Sequence, residues 1–278
     1  MAITSPTLYM AANKQSCRIS KTTARTTLAA LMFSLFDVAG SPGNGVLAGT
    51  STSAGVVPTS ATPGCYPIQF NSGTGYITRV EYGSSVAGRQ HIYDMLFKAG
   101  AFSYAAGTTG LSNQPAISQR CPDYPGSGNV FGAGNEIWME VSTAFLTGNA
   151  WTIQVTYTDS NGNAGHTSIV TPVMAAAALI IGRMVQIPLA SGDFGVQKIE
   201  SVIVSNPTTA MTAGAFNILI LRPLLTELKV KFVGDGGILN LFDTGMPQVY
   251  ADSAIICPVE PDSTSSGLPD IKIEIANG

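Results

Sequence analysis

The feature that most constrains this chain is strict two-residue alternation, and it is cleanest between Trp151 and Thr158. Trp151, Ile153, Val155 and Tyr157 share one face, while Thr152, Gln154, Thr156 and Thr158 share the other. Successive side chains of a strand point to opposite faces, so this is a strand buried on one side, as in an antiparallel sheet. The next residues, 159–165 (DSNGNAG), contain Asn-Gly, which tolerates the positive φ angles of a tight hairpin turn. Residues His166–Thr171 then read as the returning arm. The same alternation places Ile271, Ile273 and Ile275 inward, with Lys272 and Glu274 outward.

Weaker versions of the pattern recur from residue 76 onward. In Tyr76–Tyr82, Tyr76, Thr78, Val80 and Tyr82 fall on one face. In Ile137–Thr143, Ile137, Met139 and Val141 oppose Trp138 and Glu140. Further candidates are Met184–Leu189, Val196–Val204, Phe216–Leu221, Leu228–Val233 and Ala254–Val259. Gln90–Lys98 (QHIYDMLFK) fits neither period and is expected to be a strand that runs into a turn. Thirty glycines and 16 prolines punctuate these runs, as expected for many short strands joined by turns. No βαβ alternation and no fixed-period repeat is present. The expected fold is all-β: a β-sandwich, in its jelly-roll form, with an N-terminal arm, one short helix and long loops.

Organisation along the chain follows. Residues 1–37 read as an N-terminal arm (1–21) followed by a short helix. Leu28, Leu31, Met32, Leu35 and Phe36 have helical spacing, although Thr22, Thr23, Thr26 and Thr27 are poor helix formers. Residues 38–278 read as a single sandwich domain. Its opening stretch, 38–75, is a long loop, or two short strands with wide connections. Leu28–Phe36 is not expected to be a secretory signal: its basic region is too long and Asp37-Val38-Ala39-Gly40 is a poor cleavage site. The apolar run Val173–Ile181 is too short to span a bilayer, which takes about 20 residues. No membrane segment is expected.

Charge is scarce and uneven. Only 11% of residues are charged and 45% are apolar, against roughly a quarter charged in an average globular protein. Lys14, Arg18, Lys21 and Arg25 have no acidic neighbour in the first 25 residues, while the rest of the chain carries all 17 acids. A basic arm on an acidic body points to docking on an acidic protein surface. Direct nucleic-acid binding is not expected, because the footprint is small and the body repels phosphate.

Chemistry-bearing constellations are thin. His91 lies three residues from Asp94, but no framed nucleophile accompanies them. His166 follows a turn and is expected to be solvent-exposed. Asp159–Asn163 (DSNGN) matches the opening of a calcium loop, then fails at Ala164 and Val170, where Gly and Glu would be required. No zinc spacing and no phosphate loop occurs. Carboxylates such as Asp243, Asp252, Glu260 and Asp262 cannot be paired from sequence as a glycosidase would need. Cys17, Cys65, Cys121 and Cys257 are widely separated and read as buried thiols of a protein made in a reducing cytoplasm, with a disulfide as the alternative. No catalytic residue, metal or cofactor is expected.

Three stretches carry a resemblance: Phe33–Gly45 (FSLFDVAGSPGNG), Gln90–Gly100 (QHIYDMLFKAG, similar to L-Y-D-x-L segments, with Ile92 for the first leucine) and Gly245–Ser253 (GMPQVYADS). Together with the terminal isoleucine strand they resemble virion structural proteins of tailed bacteriophages, some of which are jelly-roll decoration or cement subunits. The resemblance implies a non-enzymatic subunit on the phage head surface, made in the host cytoplasm. Its expected partners are the major capsid protein and further copies of itself, as a homotrimer or homodimer. Lys14, Arg18, Lys21 and Arg25 would dock on the capsid. The alternative is a host-recognition module binding glycan through aromatics such as Trp138 and Trp151, and a phage hydrolase comes third.

Overall fold

The structure, a computed structural model, describes residues 6–70, 73–206 and 210–277. The described elements bear out an all-β chain. In order they are α1 (Pro6–Ala11), β1 (Asn13–Lys21), β2 (Gly40–Ser41), β3 (Ser51–Val56), β4 (Thr74–Ser84), β5 (Gly88–Ser103), β6 (Gly107–Gly110), β7 (Glu136–Leu146) and β8 (Thr152–Asp159). They continue as β9 (His166–Thr167), β10 (Met184–Ile187), β11 (Val196–Ser205), β12 (Ala213–Val230), β13 (Gly236–Leu239), α2 (Leu241–Thr244), β14 (Gln248–Tyr250), β15 (Ile255–Ile256), β16 (Val259–Pro261) and β17 (Pro269–Asn277). Among the described residues no helix is long and apolar enough to cross a membrane.

Where the sequence reads as one body over 38–278, the chain forms two compact, discontinuous units. The first comprises Met1–Val46, Thr59–Asp94 and Leu224–Gly278, and the second Leu47–Pro58 and Met95–Pro223. Two of the divisions fall inside the long strands β5 and β12, so no linker-like composition marks them.

In the first unit one sheet has the order β13-β4-β17-β1-β2, with β14 also on β4. β15 and β16 pair with the leading half of β5. The core joins Cys17, Ile19, Ile77, Val80, Ile92 and the three isoleucines of β17. The alternation of Ile271, Ile273 and Ile275 is therefore realised. That of β4 is not: a bulge opposite Glu274 and Ile275 shifts its phase, so Ile77 is buried where Tyr76 is expected. A bulge adds one residue and reverses every face beyond it.

Two N-terminal expectations are corrected here. Residues 13–21 are strand β1, paired with β17 over Asn13–Ser20, and not an irregular arm. The first five residues of that arm lie outside the described residues. Residues 22–37 are not helical. Their backbone bonds to 259–264 through Thr27 N–H to Thr264 O, Ala30 N–H to Pro261 O and Phe33 N–H to Val259 O. The residues that bury are Thr27 and the consecutive Phe33, Ser34, Leu35 and Phe36, whereas Leu28, Leu31 and Met32 are only part-buried, so their helical spacing has no face to serve. Four threonines favour this extended pairing.

The second unit is a sandwich. One sheet runs β10-β7-β12-β5, with β3 also on β5, and the other runs β6-β11-β8-β9. Ile153, Val155 and Tyr157 of β8 meet Met139, Val141, Phe216 and Ile218 in a single apolar cluster. Trp151 anchors it, edge-on to Phe145 and Phe216 at 5.0 and 5.2 Å between centroids, with its N–H donated to Tyr104 O. Gln90–Lys98 is part of one unbroken strand, buried on both faces, which is why neither period shows.

All four cysteines are free and buried, as the spacing suggests. Burial pushes the Cys17 thiol up to about 11 and the Cys257 thiol up to about 12, which suppresses the reactive thiolate. A thiol reagent at pH 8 is therefore expected to modify no cysteine of the folded chain and all four after denaturation. Fast labelling of the native protein would contradict the burial. Trp151→Ala is expected to cost about 4 kcal/mol in denaturant unfolding through the cavity it leaves; a loss below 1 kcal/mol would show that Trp151 is not the anchor.

Candidate functional site

The richest surface of the first unit is the outer face and free edge of its sheet. Cross-strand register lines up Arg18 (β1), Lys272 (β17), Glu81 (β4) and Ile238 (β13) in one row. These residues line a shallow open depression of about 840 Å³. Its floor is low because Gly83 and Gly236 face each other, and a side chain at Gly236 would strike Tyr82 O at 2.1 Å.

Of the four basic residues predicted to dock, only Arg18 lines this depression, and the four do not form a free arm. Arg18 is exposed and forks onto Asp270, Nε to Oδ1 at 2.7 Å and Nη2 to Oδ2 at 2.5 Å. Lys14 is exposed and lies over the Tyr9 ring, 3.9 Å from its centroid. Lys21 is buried and donates to Val38 O and Pro42 O at 2.9 and 3.0 Å, and burial pulls its ammonium below the ordinary lysine value. Arg25 pairs with Asp37. Asp270, Glu81 and Glu274 interleave with the basic groups across the sheet, so the local field is mixed in sign. Sequence could not show this, because β17 is the last strand of the chain.

Apolar groups dominate the free edge. Beside β13, Phe232, Val233, Ile238 and Phe242 are 72%, 77%, 61% and 91% exposed. Phe242 is presented by α2, whose start is fixed by a capping box between Asn240 and Asp243. β13 ends the sheet order, so its outer backbone groups face away from β4. Exposed apolar side chains beside an open strand edge make a surface of the kind that partners cover.

The two histidines have different settings. His91 and Asp94 lie on opposite faces of β5, since odd spacing along a strand separates side chains. Asp94 accepts from Ser253 Oγ and Ala254 N–H at 2.7 and 2.8 Å. His91 is buried, and its Nδ1 accepts from Glu227 N–H at 3.3 Å. Desolvation pushes its imidazole down to about 4.

In the second unit, His166 is a partner and not a free side chain: its Nδ1 lies 2.8 Å from Asp193 Oδ2, which also accepts Tyr157 O–H at 2.5 Å. Asp159, His166 and Asp193 place one potential ligand atom each within 4.8 Å of one another. Asp159 Oδ1 accepts Asn161 and Asn163 N–H at 2.9 and 2.7 Å, and Oδ2 accepts both side-chain amides at 3.4 and 3.0 Å. Burial alone would raise the Asp159 carboxyl; these four donations outweigh it and hold the group below its usual range. The calcium-like letters thus build a hairpin turn closed by amide donors. Trp138 and Trp151, candidates for glycan stacking, are both buried.

No family model and no curated protein matches the chain. Among solved structures, it is similar to a structure of infectious bursal disease virus Gx strain, at 11% identity and TM-score 0.19, covering 95% of this chain and 64% of that one. The infectious bursal disease virus VP2 subviral particle gives 12% identity and TM-score 0.21, with 96% and 65% covered. The chain thus spans less than two thirds of the length of either. Likenesses of this size carry no argument about the present protein.

His91 generates a pH prediction. In the folded chain it stays neutral down to about 4, whereas the unfolded chain takes up a proton below about 6.5. Stability from this group is complete above pH 6.5 and is lost as pH falls towards 4, by at most about 1.4 kcal/mol per pH unit. Urea unfolding of His91→Gln should show a shallower slope over that window. An unchanged slope would mean the imidazole is protonated in the fold.

Proposed function

We propose that this chain is a non-enzymatic structural subunit of a virus shell, which acts by binding neighbouring shell proteins on the head surface of a tailed phage as a decoration or cement subunit. The observation that carries the reading is the apolar free edge at Phe232, Val233, Ile238 and Phe242 on a chain with so few charges. A standard protein interface buries about 1,600 Å², and an open edge strand offers backbone pairing as well as apolar area. The expected partners are further copies of the chain, as a homotrimer or homodimer, and the major capsid protein. The sequence resemblance to phage virion proteins supports the same reading.

Docking through the basic residues narrows to Lys14 and Arg18, the two that stay exposed. Exposed ion pairs contribute about 0–1 kcal/mol each, so they would orient a contact that the apolar edge drives. The buried tryptophans remove the main support for the glycan-binding alternative.

Sedimentation of the purified chain tests the self-association. A closed oligomer is expected in wild type, with Phe232→Ser/Phe242→Ser shifted towards monomer and unchanged in circular dichroism. A wild-type chain that stays monomeric at high micromolar concentration would contradict self-association through this edge. Replacing Lys14 and Arg18 with glutamate is expected to weaken particle binding less than the phenylalanine pair does.

A further inference from the structure

Three polar side chains meet inside the second unit on adjacent strands: Lys98 of β5, Asn217 of β12 and Glu140 of β7. They are 6%, 0% and 2% exposed. Asn217 and Glu140 are directly opposed in register. Lys98 Nζ lies 3.3 Å from Glu140 Oε2, and Asn217 Nδ2 donates to the same oxygen at 2.9 Å. Asn217 Nδ2 also donates to Leu47 O at 2.7 Å, and its Oδ1 accepts Gly49 N–H at 2.8 Å. These three contacts fix which end of the amide is which. Flanking residues Phe97, Ala99, Met139, Val141, Phe216 and Ile218 are all buried. Gly100 is needed alongside, because a side chain there would stand 2.1 Å from Asn217 Oδ1.

The parts are those of an amide-forming reaction. An amine and a carboxamide share one carboxylate, and a backbone N–H polarises the carboxamide oxygen. We propose that Lys98 and Asn217 join in an intramolecular isopeptide bond, with Glu140 as the proton-transfer group. Glu140 takes a proton from the Lys98 ammonium, and the freed nitrogen lone pair attacks Asn217 Cγ. The carbonyl electron pair moves onto Oδ1, where Gly49 N–H holds the developing charge as an oxyanion-hole donor does. When the pair returns, the Cγ–Nδ2 bond breaks and the Nζ–Cγ bond remains. Two protons leave Nζ and two reach Nδ2, both through Glu140, so nitrogen departs as ammonium and Glu140 is a carboxylate again. No oxidant, reductant or cofactor is consumed. Fixing the reactants in a dry interior supplies the effective concentration that the same groups lack in water.

The bond would clamp β5 to its neighbour β12 by a covalent link that unfolding does not break. This inference stands independently of the shell reading.

Intact-mass spectrometry of the full folded chain, with peptide mapping, tests it. The expected mass is about 17 Da below that of the sequence, the mass of one ammonia. Trypsin should fail to cut after Lys98, and Lys98 and Asn217 should be recovered in one branched peptide. Glu140→Gln and Lys98→Arg are each expected at full mass with the β-sheet spectrum retained. A wild-type chain at full mass, with the Lys98 and Asn217 peptides recovered separately, would overturn the proposal whether or not the variants fold. So would a 17 Da deficit confined to a single linear peptide, such as one carrying Asn161-Gly162.

Discussion

Asn217 sits within an 18-residue strand with no exposure to water, and every polar group it carries has to be met inside the protein. A buried amide left unpaired costs about 1–3 kcal/mol, so the loop at 47–49, the β7 carboxylate and the β5 amine are all committed to positions around it. The same rule organises the first unit. Lys21 is buried because Val38 and Pro42 offer it carbonyls, and Asp94 is buried because Ser253 and Ala254 offer it donors. The chain places few charges, and it places several of them where only a specific partner makes burial tolerable.

The surface follows from that economy. Only 11% of residues are charged, and Lys98, Glu140, Asp94 and Lys21 among them are held inside. Exposed charges on the first unit's sheet are paired, Arg18 with Asp270 across strands and Arg79 with Glu81 along β4. The free edge beside them is apolar. A molecule built this way gains by covering that edge, which is the physical content of assigning it a role in assembly.

Sequence made the one-sided strands legible, because burial on a single face imprints a period of two. Trp151–Thr158 and Ile271–Ile275 were readable for that reason, and the four free thiols from the wide separation of the cysteines along the chain. Strands buried on both faces carry no period, and β5 was consequently mistaken for a strand ending in a turn. The stretch 22–37 shows the opposite failure: apolar spacing mimicked a helix, while the backbone was claimed by 259–264. Bulges such as the one in β4 are invisible in a single sequence. The Lys98–Glu140–Asn217 group was illegible too, since its members lie far apart along the chain and no local motif links them. The basic cluster at 14–25 was visible, but Asp270, which pairs with Arg18, belongs to β17 far along the chain, and only Asp37, which pairs with Arg25, lies nearby in sequence.

The central claim is that the chain works by occupying defined places on a shell. The most direct measurement is to mix the purified chain with phage heads that lack it and to image the particles by cryo-electron microscopy. Density at regular symmetry positions over the head, with the edge around Phe232 and Phe242 in contact with a neighbouring subunit, is the predicted result. Heads without added density would contradict the claim, as would density whose contacts leave that edge in solvent.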